Sequence, residues 1–248
     1  MILLFDVGNT TIGLALVEND KIIKTYKLNT NLTKTADEYF IDIKQLFDIN
    51  KIKDIAIASV VPQVTRILNE ISKKFFNIEP LIIKLGTKTG INIKTDNPKE
   101  VGADIICVAA GVANNNKSSL VIDLGTATKY IYVKKNILSG VIITPGVKIS
   151  IKSLVGNTAL LPDIDILVPK KVLGTNTIEC MQSGVTYGMA AQVDGLIDRI
   201  KQEVKEDFDI FITGGLANII IPLLNHQVTY NSQLIFEGLY KIYQLNIK

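Results

Sequence analysis

Two stretches decide the reading of this chain: DVGNTTIGLALV, residues 6 to 17, and DLGTATKYIYV, residues 123 to 133. Set one over the other, Asp6 matches Asp123, Gly8 matches Gly125 and Thr11 matches Thr128. Each stretch follows a short apolar run and leads into another, so each reads as a strand, a sharp turn and a second strand. A polar turn and a third apolar run come next in both places, Glu18 to Lys21 then Ile22 to Leu28, and Lys134 to Asn136 then Ile137 to Ile143. This is an internal repeat. It predicts an α/β protein made by duplication, with two domains, mixed sheets and a cleft between them. The polar stretch NNNKSS, 114 to 119, sets the boundary, giving domains 1–115 and 116–248.

The elements between the repeats fit that plan. Helices are expected over 35–48, 63–76, 105–112 and 177–201, with a last helix from about Ser232 that turns Leu234, Ile235, Leu239 and Tyr243 inward. Strands are expected at 54–59, 80–85 and 209–212, the last running into Thr213-Gly214-Gly215.

Composition narrows the function classes. Hydrophobic residues make up 47% of 248 positions, enough for a substantial core. The net charge of +3 comes from 27 basic and 24 acidic residues without a like-charge run, so no nucleic-acid partner is expected. No stretch reaches the roughly 18 apolar residues of a membrane span, and the N-terminus lacks a basic signal-peptide start. A cytoplasmic protein is expected, with Cys107 and Cys180 as buried free thiols.

The repeated motif points to phosphate. A strand that bends sharply at glycine presents backbone N–H groups at the bend, and these bind phosphate oxygens. Gly8 and Gly125 permit close approach, while Asn9, Thr10, Thr11, Thr126 and Thr128 add side-chain donors. An Asp facing the same point repels phosphate, so its use is to hold a cation or its waters. Neither G-x-x-x-x-G-K-[ST] nor a strand-linked G-x-G-x-x-G occurs, which disfavours P-loop and Rossmann sites. Gly214 and Gly215 are a further nucleotide candidate, or a plain strand-to-helix turn. In DNPKEVGAD, 96 to 104, Asp104 is either a helix N-cap or the carboxylate that takes a proton from an alcohol. Lys129 and Lys148 are candidate phosphate partners or exposed lysines, and the lone His226 reads as a surface residue.

Taken in order, DVGNT (6–10), SVVP (59–62), DNPKEVGAD (96–104), DLGTAT (123–128), PG (145–146), TALLP (158–162), NT (176–177), QSG (182–184) and TGG (213–215) resemble type III pantothenate kinase, of the actin-like (ribonuclease H-like) superfamily of acetate and sugar kinases. The resemblance implies ATP-dependent phosphorylation of pantothenate, the first step of coenzyme A synthesis, by a homodimer needing Mg2+ and a monovalent cation, K+ or NH4+. It implies that Asp6, Val7, Gly8, Asn9, Thr10, Thr11, Ile12 and Gly13 bind ATP, joined by Thr126, Gly214 and Gly215. Asp6 would hold Mg2+ through water, and Asp123 the monovalent cation. Asp104 would be the catalytic base, with Thr95, Gly102, Ala103, Ile105 and Thr177 at pantothenate. Three positions depart from the family pattern: Ile105 stands where Arg is usual, Thr95 where Tyr is usual, and Lys129 where a second Thr is usual. Two alternatives stay open, a related kinase of another small alcohol and a nucleotide-binding regulator without catalysis.

Overall fold

The computed structural model describes residues 1–247. In chain order the elements are β1 (Ile2–Val7), β2 (Thr11–Glu18), β3 (Lys21–Asn29), α1 (Ala36–Lys44), β4 (Asp54–Ser59), α2 (Pro62–Phe76), β5 (Leu81–Ile82), β6 (Asn92–Ile93) and α3 (Ala103–Val112). There follow β7 (Ser118–Leu124), β8 (Ala127–Lys134), β9 (Ile137–Pro145), α4 (Val147–Gly156), α5 (Thr177–Val204), β10 (Phe208–Thr213), α6 (Ala217–Ile220), β11 (Thr229–Tyr230) and α7 (Leu234–Asn246). They form two compact units. The first is Met1–Ala113 with Asn136–Leu138 and the chain from Gln233 on; the second is Asn114–Lys135 with Ser139–Ser232.

The first unit's sheet has the order β3-β2-β1-β4-β5. β1 runs antiparallel to β2 and parallel to β4. Alternation along β1 sends Leu3, Phe5 and Val7 to one face, where they pack with Tyr39 and Ile43 of α1 and Val64, Leu68 and Ile71 of α2. Leu4 goes to the other face, with Cys107 and Ala110 of α3 and Phe236, Leu239 and Ile242 of α7. α1 begins with a capping box, in which Thr35 Oγ1 accepts from Glu38 N and Glu38 Oε2 accepts from Thr35 N.

The second unit repeats the order as β9-β8-β7-β10-β11, again with the first strand antiparallel to its hairpin partner and parallel to the next. The duplication expected from the two D-x-G motifs is therefore present as topology. Leu120, Ile122 and Leu124 of β7 face a core closed by Val147 and Ile151 of α4 and Met189, Val193 and Ile197 of α5. β6 pairs with Ile137 and Leu138 at the start of β9.

Several elements differ from expectation. The helix expected over 35–48 stops at Lys44, and the strand expected over 80–85 is two residues long. α4 and α6 add helix where none was expected. The sequence division put α7 with residues 116–248, whereas α7 packs on α3, β1 and β4 and belongs to the first unit. The packing is close: a Cβ on Gly238 would lie 1.7 Å from the Cys107 carbonyl oxygen. Lys241 Nζ also donates to the Gly111 carbonyl at 2.6 Å, satisfying the C-terminal end of α3. Cys107 is buried, but Cys180 is exposed, so only the first of the two thiols is a core residue.

Candidate active site

The first loop, Gly8 to Thr10, joins β1 to β2. Gly8 N donates to the Thr11 carbonyl at 2.9 Å and closes the bend. The end of β3 holds it from the side, since Thr30 N donates to the Thr10 carbonyl at 3.0 Å and Thr30 Oγ1 to the Gly8 carbonyl at 2.7 Å. Asn9, Thr10 and Thr11 are exposed. Val7 and Ile12 are buried side chains of the core, so only their backbone can meet a nucleotide. Asp6 stands opposite Gly13 across the hairpin. Gly13 has a packing role of its own, because a Cβ there would lie 2.9 Å from Phe236 of α7.

The second loop, Gly125 and Thr126, is one residue shorter. Leu124 pairs with Thr128 and Asp123 with Lys129, whereas Val7 pairs with Ile12 and Asp6 with Gly13. Thr128 thus holds the register place of Ile12, not that of Thr11, and Thr128 is buried. Two glycines back this loop. A Cβ on Gly146 would lie 2.3 Å from the Thr126 carbonyl oxygen, and one on Gly214 would lie 2.5 Å from the Leu124 carbonyl oxygen. Gly214 also has φ +96°, a left-handed conformation that favours glycine. Its neighbour Gly215 has open space around a Cβ. Gly146 was not expected in the site; the signal was the Pro145-Gly146 pair where β9 ends and α4 begins. Lys129 Nζ lies 3.1 Å from Asp123 Oδ2, with both side chains less than one-fifth exposed. Lys148 is exposed.

Asp104 sits in the first turn of α3. The N-cap is Gly102, so the N-cap reading of Asp104 does not hold. The preceding DNPKE forms a tight turn in which Asn97 Oδ1 accepts from Lys99 N and Asn97 Nδ2 donates to Glu100 Oε1. That turn delivers Gly102 in extended backbone, φ −61° and ψ 148°. Asp104 Oδ1 accepts from Ile105 N at 2.9 Å. Ala103 and Ile105 are buried in α3. Asp104 and Asp6 both bear on Cys107: burial first, then the two negative charges, push its thiol well above its ordinary range. Thr95 lies just before this turn, with its Oγ1 buried and without a hydrogen-bond partner among the described residues.

Thr177 opens α5 behind an Asn176 N-cap, whose Oδ1 accepts from Glu179 N at 3.0 Å. It lines a cavity of about 860 Å³ in the second unit, with Leu154, Leu161, Asn176, Cys180 and Met181. The His226 ring bridges Asp194 (Nδ1, 2.9 Å) and Asp198 (Nε2, 3.0 Å) of α5 and is mostly covered, so it ties the segment after α6 to that helix. Among the described residues, no three His, Cys, Asp or Glu side chains gather as a metal cluster, and no helix is long and apolar enough to cross a membrane.

A model of the type III pantothenate kinase family matches residues 2–199. The chain belongs to this family. The type III pantothenate kinase of Acholeplasma laidlawii is 50% identical over 248 residues, covering all of both chains. Among solved structures, one described as a Baf family transcriptional activator from Campylobacter jejuni is 20% identical, with a TM-score of 0.62 over 98% of each chain. Component A of the (R)-2-hydroxyglutaryl-CoA dehydratase of Acidaminococcus fermentans is 13% identical, with a TM-score of 0.57 over 98% of each chain. These two show the fold alone, and it is the duplicated actin-like fold. As a type III pantothenate kinase, the chain is an enzyme that uses ATP.

Proposed function

We propose that the chain transfers the γ-phosphoryl group of ATP to the primary hydroxyl of pantothenate, with Asp104 as the general base. The hydroxyl oxygen attacks the γ-phosphorus in line, and the bond to the β–γ bridging oxygen breaks. ADP leaves, and the hydroxyl proton passes to the Asp104 carboxylate. Positioning and charge neutralisation supply most of the acceleration. The observation that carries this reading is the Gly102–Asp104 pair at the start of α3. A glycine N-cap leaves room beside the carboxylate, and Asp104 stands half-buried in the first turn of α3 between the buried Ala103 and Ile105.

Asp6, Val7, Gly8, Asn9, Thr10, Thr11, Ile12 and Gly13 form the first nucleotide loop, its bend held by Thr30. Thr126 contributes from the second loop, and Gly214 and Gly215 offer backbone to the nucleoside. Asp6 fits a divalent ion held through water. Asp6 would hold Mg2+ through water, and the ion would supply positive charge against the phosphates. Thr95, Gly102, Ala103, Ile105 and Thr177 line pantothenate. Thr95 supports this directly, because a buried hydroxyl without a partner costs about 1–3 kcal/mol unless a ligand or water satisfies it. Ile105, buried in α3, offers no donor where a guanidinium is usual, so carboxylate recognition falls to other donors.

The working form is a homodimer in the cytoplasm, without nucleic-acid or membrane partners. Exposed apolar side chains crowd residues 143–178, including Ile143, Leu167, Val172 and Ile178, with Leu160 at 90% and Leu173 at 84% exposure. A surface of that kind suits a second copy of the chain.

A second reading, a kinase of another small alcohol, draws on Thr95 and Ile105. A coupled assay over a panel of primary alcohols separates the two. The proposal expects pantothenate to be turned over best; a preference for another alcohol of at least about tenfold, a difference of roughly 1.4 kcal/mol, would replace it.

A further inference from the structure

We infer that the ammonium group of Lys129 is this enzyme's built-in monovalent cation at the second phosphate loop, so that catalysis does not require added K+ or NH4+. The inference rests on the kinase reading above and departs from what the family resemblance implies, a free monovalent cation at Asp123.

The argument starts from the register of the two hairpins. Each loop begins at a carboxylate, and a carboxylate beside phosphate oxygens needs a positive charge. In the first hairpin the residue directly opposite Asp6 is Gly13, which brings no charge. In the second hairpin the residue directly opposite Asp123 is Lys129. Directly opposed residues put their side chains on the same face of the ladder, with Cβ atoms close enough to interact. The pairing therefore follows from the backbone and does not depend on a chance rotamer. Lys129 Nζ lies 3.1 Å from Asp123 Oδ2. Both side chains are largely covered, at 17% and 18% exposure, so water screens the pair less than a surface ion pair.

An ammonium on a four-carbon stem has the charge of K+ or NH4+ and offers three donors. Placed on Asp123, it occupies the carboxylate that a free monovalent cation would use. The residues present thus fit a tethered cation and not a diffusible one. Gly146 and Gly214 pack against the backbone of Leu124, Gly125 and Thr126, so the loop has little freedom to open a separate ion site.

The test uses the full-length protein with ATP, Mg2+ and pantothenate, in choline buffer and in K+ or NH4+ buffer. ATP binding is followed by calorimetry in the same buffers. For the wild type, turnover and ATP affinity change by less than about twofold between choline and K+. For Lys129→Thr, both fall by at least about tenfold in choline, and K+ or NH4+ restores them. Lys129→Arg keeps the charge and stays independent of added cation, which separates loss of charge from loss of fold. Stimulation of the wild type by K+ of tenfold or more overturns the inference, as does a Lys129→Thr variant with unchanged cation dependence. Cation-independent ATP binding and turnover by a wild type that phosphorylates another alcohol and not pantothenate would sink the pantothenate reading and leave this one standing.

Discussion

A methyl group on Gly102 would lie 2.5 Å from Asp104 Oδ1 and 3.3 Å from Val60 Cγ1. The backbone at Gly102 is extended and open to any residue, so glycine is there for the space beside the carboxylate and not for its φ. Gly102→Ala should therefore move the Asp104 carboxylate while leaving α3 in place. Turnover should fall by at least about tenfold, with a stability loss under about 1 kcal/mol. Steady-state kinetics beside a thermal melt checks it. A large melting shift with normal turnover would mean that the glycine serves packing instead.

The second loop depends on close backbone approach. Gly146 N donates to the Thr126 carbonyl at 3.2 Å, and a Cβ there would come within 2.3 Å of the same oxygen. Gly146→Ala has to push Thr126 away. ATP affinity should weaken by roughly tenfold or more, with about 1–3 kcal/mol of destabilisation. Calorimetric ATP titration and denaturant unfolding measure the two effects separately.

Gly238 holds α7 against α3 more tightly than any side chain would allow, with its absent Cβ 1.7 Å from the Cys107 carbonyl oxygen and 2.8 Å from Gly111 N. Neither contact is with a flexible side chain, so the helices must separate. Gly238→Ala should cost 3 kcal/mol or more, at or above the upper end of the ~1–3 kcal/mol typical of overpacking. Because α3 carries Asp104, turnover should fall with stability. A melt of the variant beside its activity tests whether the two losses travel together.

Glu206 gives the second unit an acid-sensitive point. Tyr132 Oη donates to it, Lys134 Nζ lies 3.0 Å away and Ser118 Oγ donates at 3.0 Å. These bonds, the one from Tyr132 foremost, lower its pKa from the ordinary 4.5 to about 2. A carboxyl with a depressed folded-state pKa stabilises the fold above its unfolded value. That contribution is lost as pH falls from about 4.5 toward about 2. Glu206→Gln should be less stable than wild type at neutral pH, and the difference should shrink across that window. Denaturant unfolding at pH 7, 4.5 and 3 follows it; a constant difference would rule out linkage at Glu206.

How much of this was legible in sequence depends on the element. Short apolar runs ending in D-x-G announced both hairpins, because burial on both faces leaves a continuous apolar strand. Turn length was not legible, so Thr128 was matched to Thr11 although the ladder gives it the place of Ile12. With that slip the opposition of Asp123 to Lys129 stayed hidden. α4 was missed because Val147, Ile149 and Ile151 alternate with Lys148, Ser150 and Lys152, a period of two that carries no helix signal. α7 has a clear helical pattern, but its partner α3 lies more than a hundred residues earlier, and only the small residues Gly111 and Gly238 hint at the contact. Asp104 was identified from its motif; that Gly102, not Asp104, caps α3 needed the backbone angles.

In the proposed reaction Asp104 takes the proton from pantothenate's hydroxyl. The most direct measurement is turnover of Asp104→Asn in a coupled assay with saturating ATP, Mg2+ and pantothenate, with ATP binding measured on the same preparation. Asn keeps the size and loses the basicity. With the base gone, kcat should fall by at least about a hundredfold, with ATP affinity within about twofold of wild type. Wild-type turnover in Asp104→Asn would contradict it.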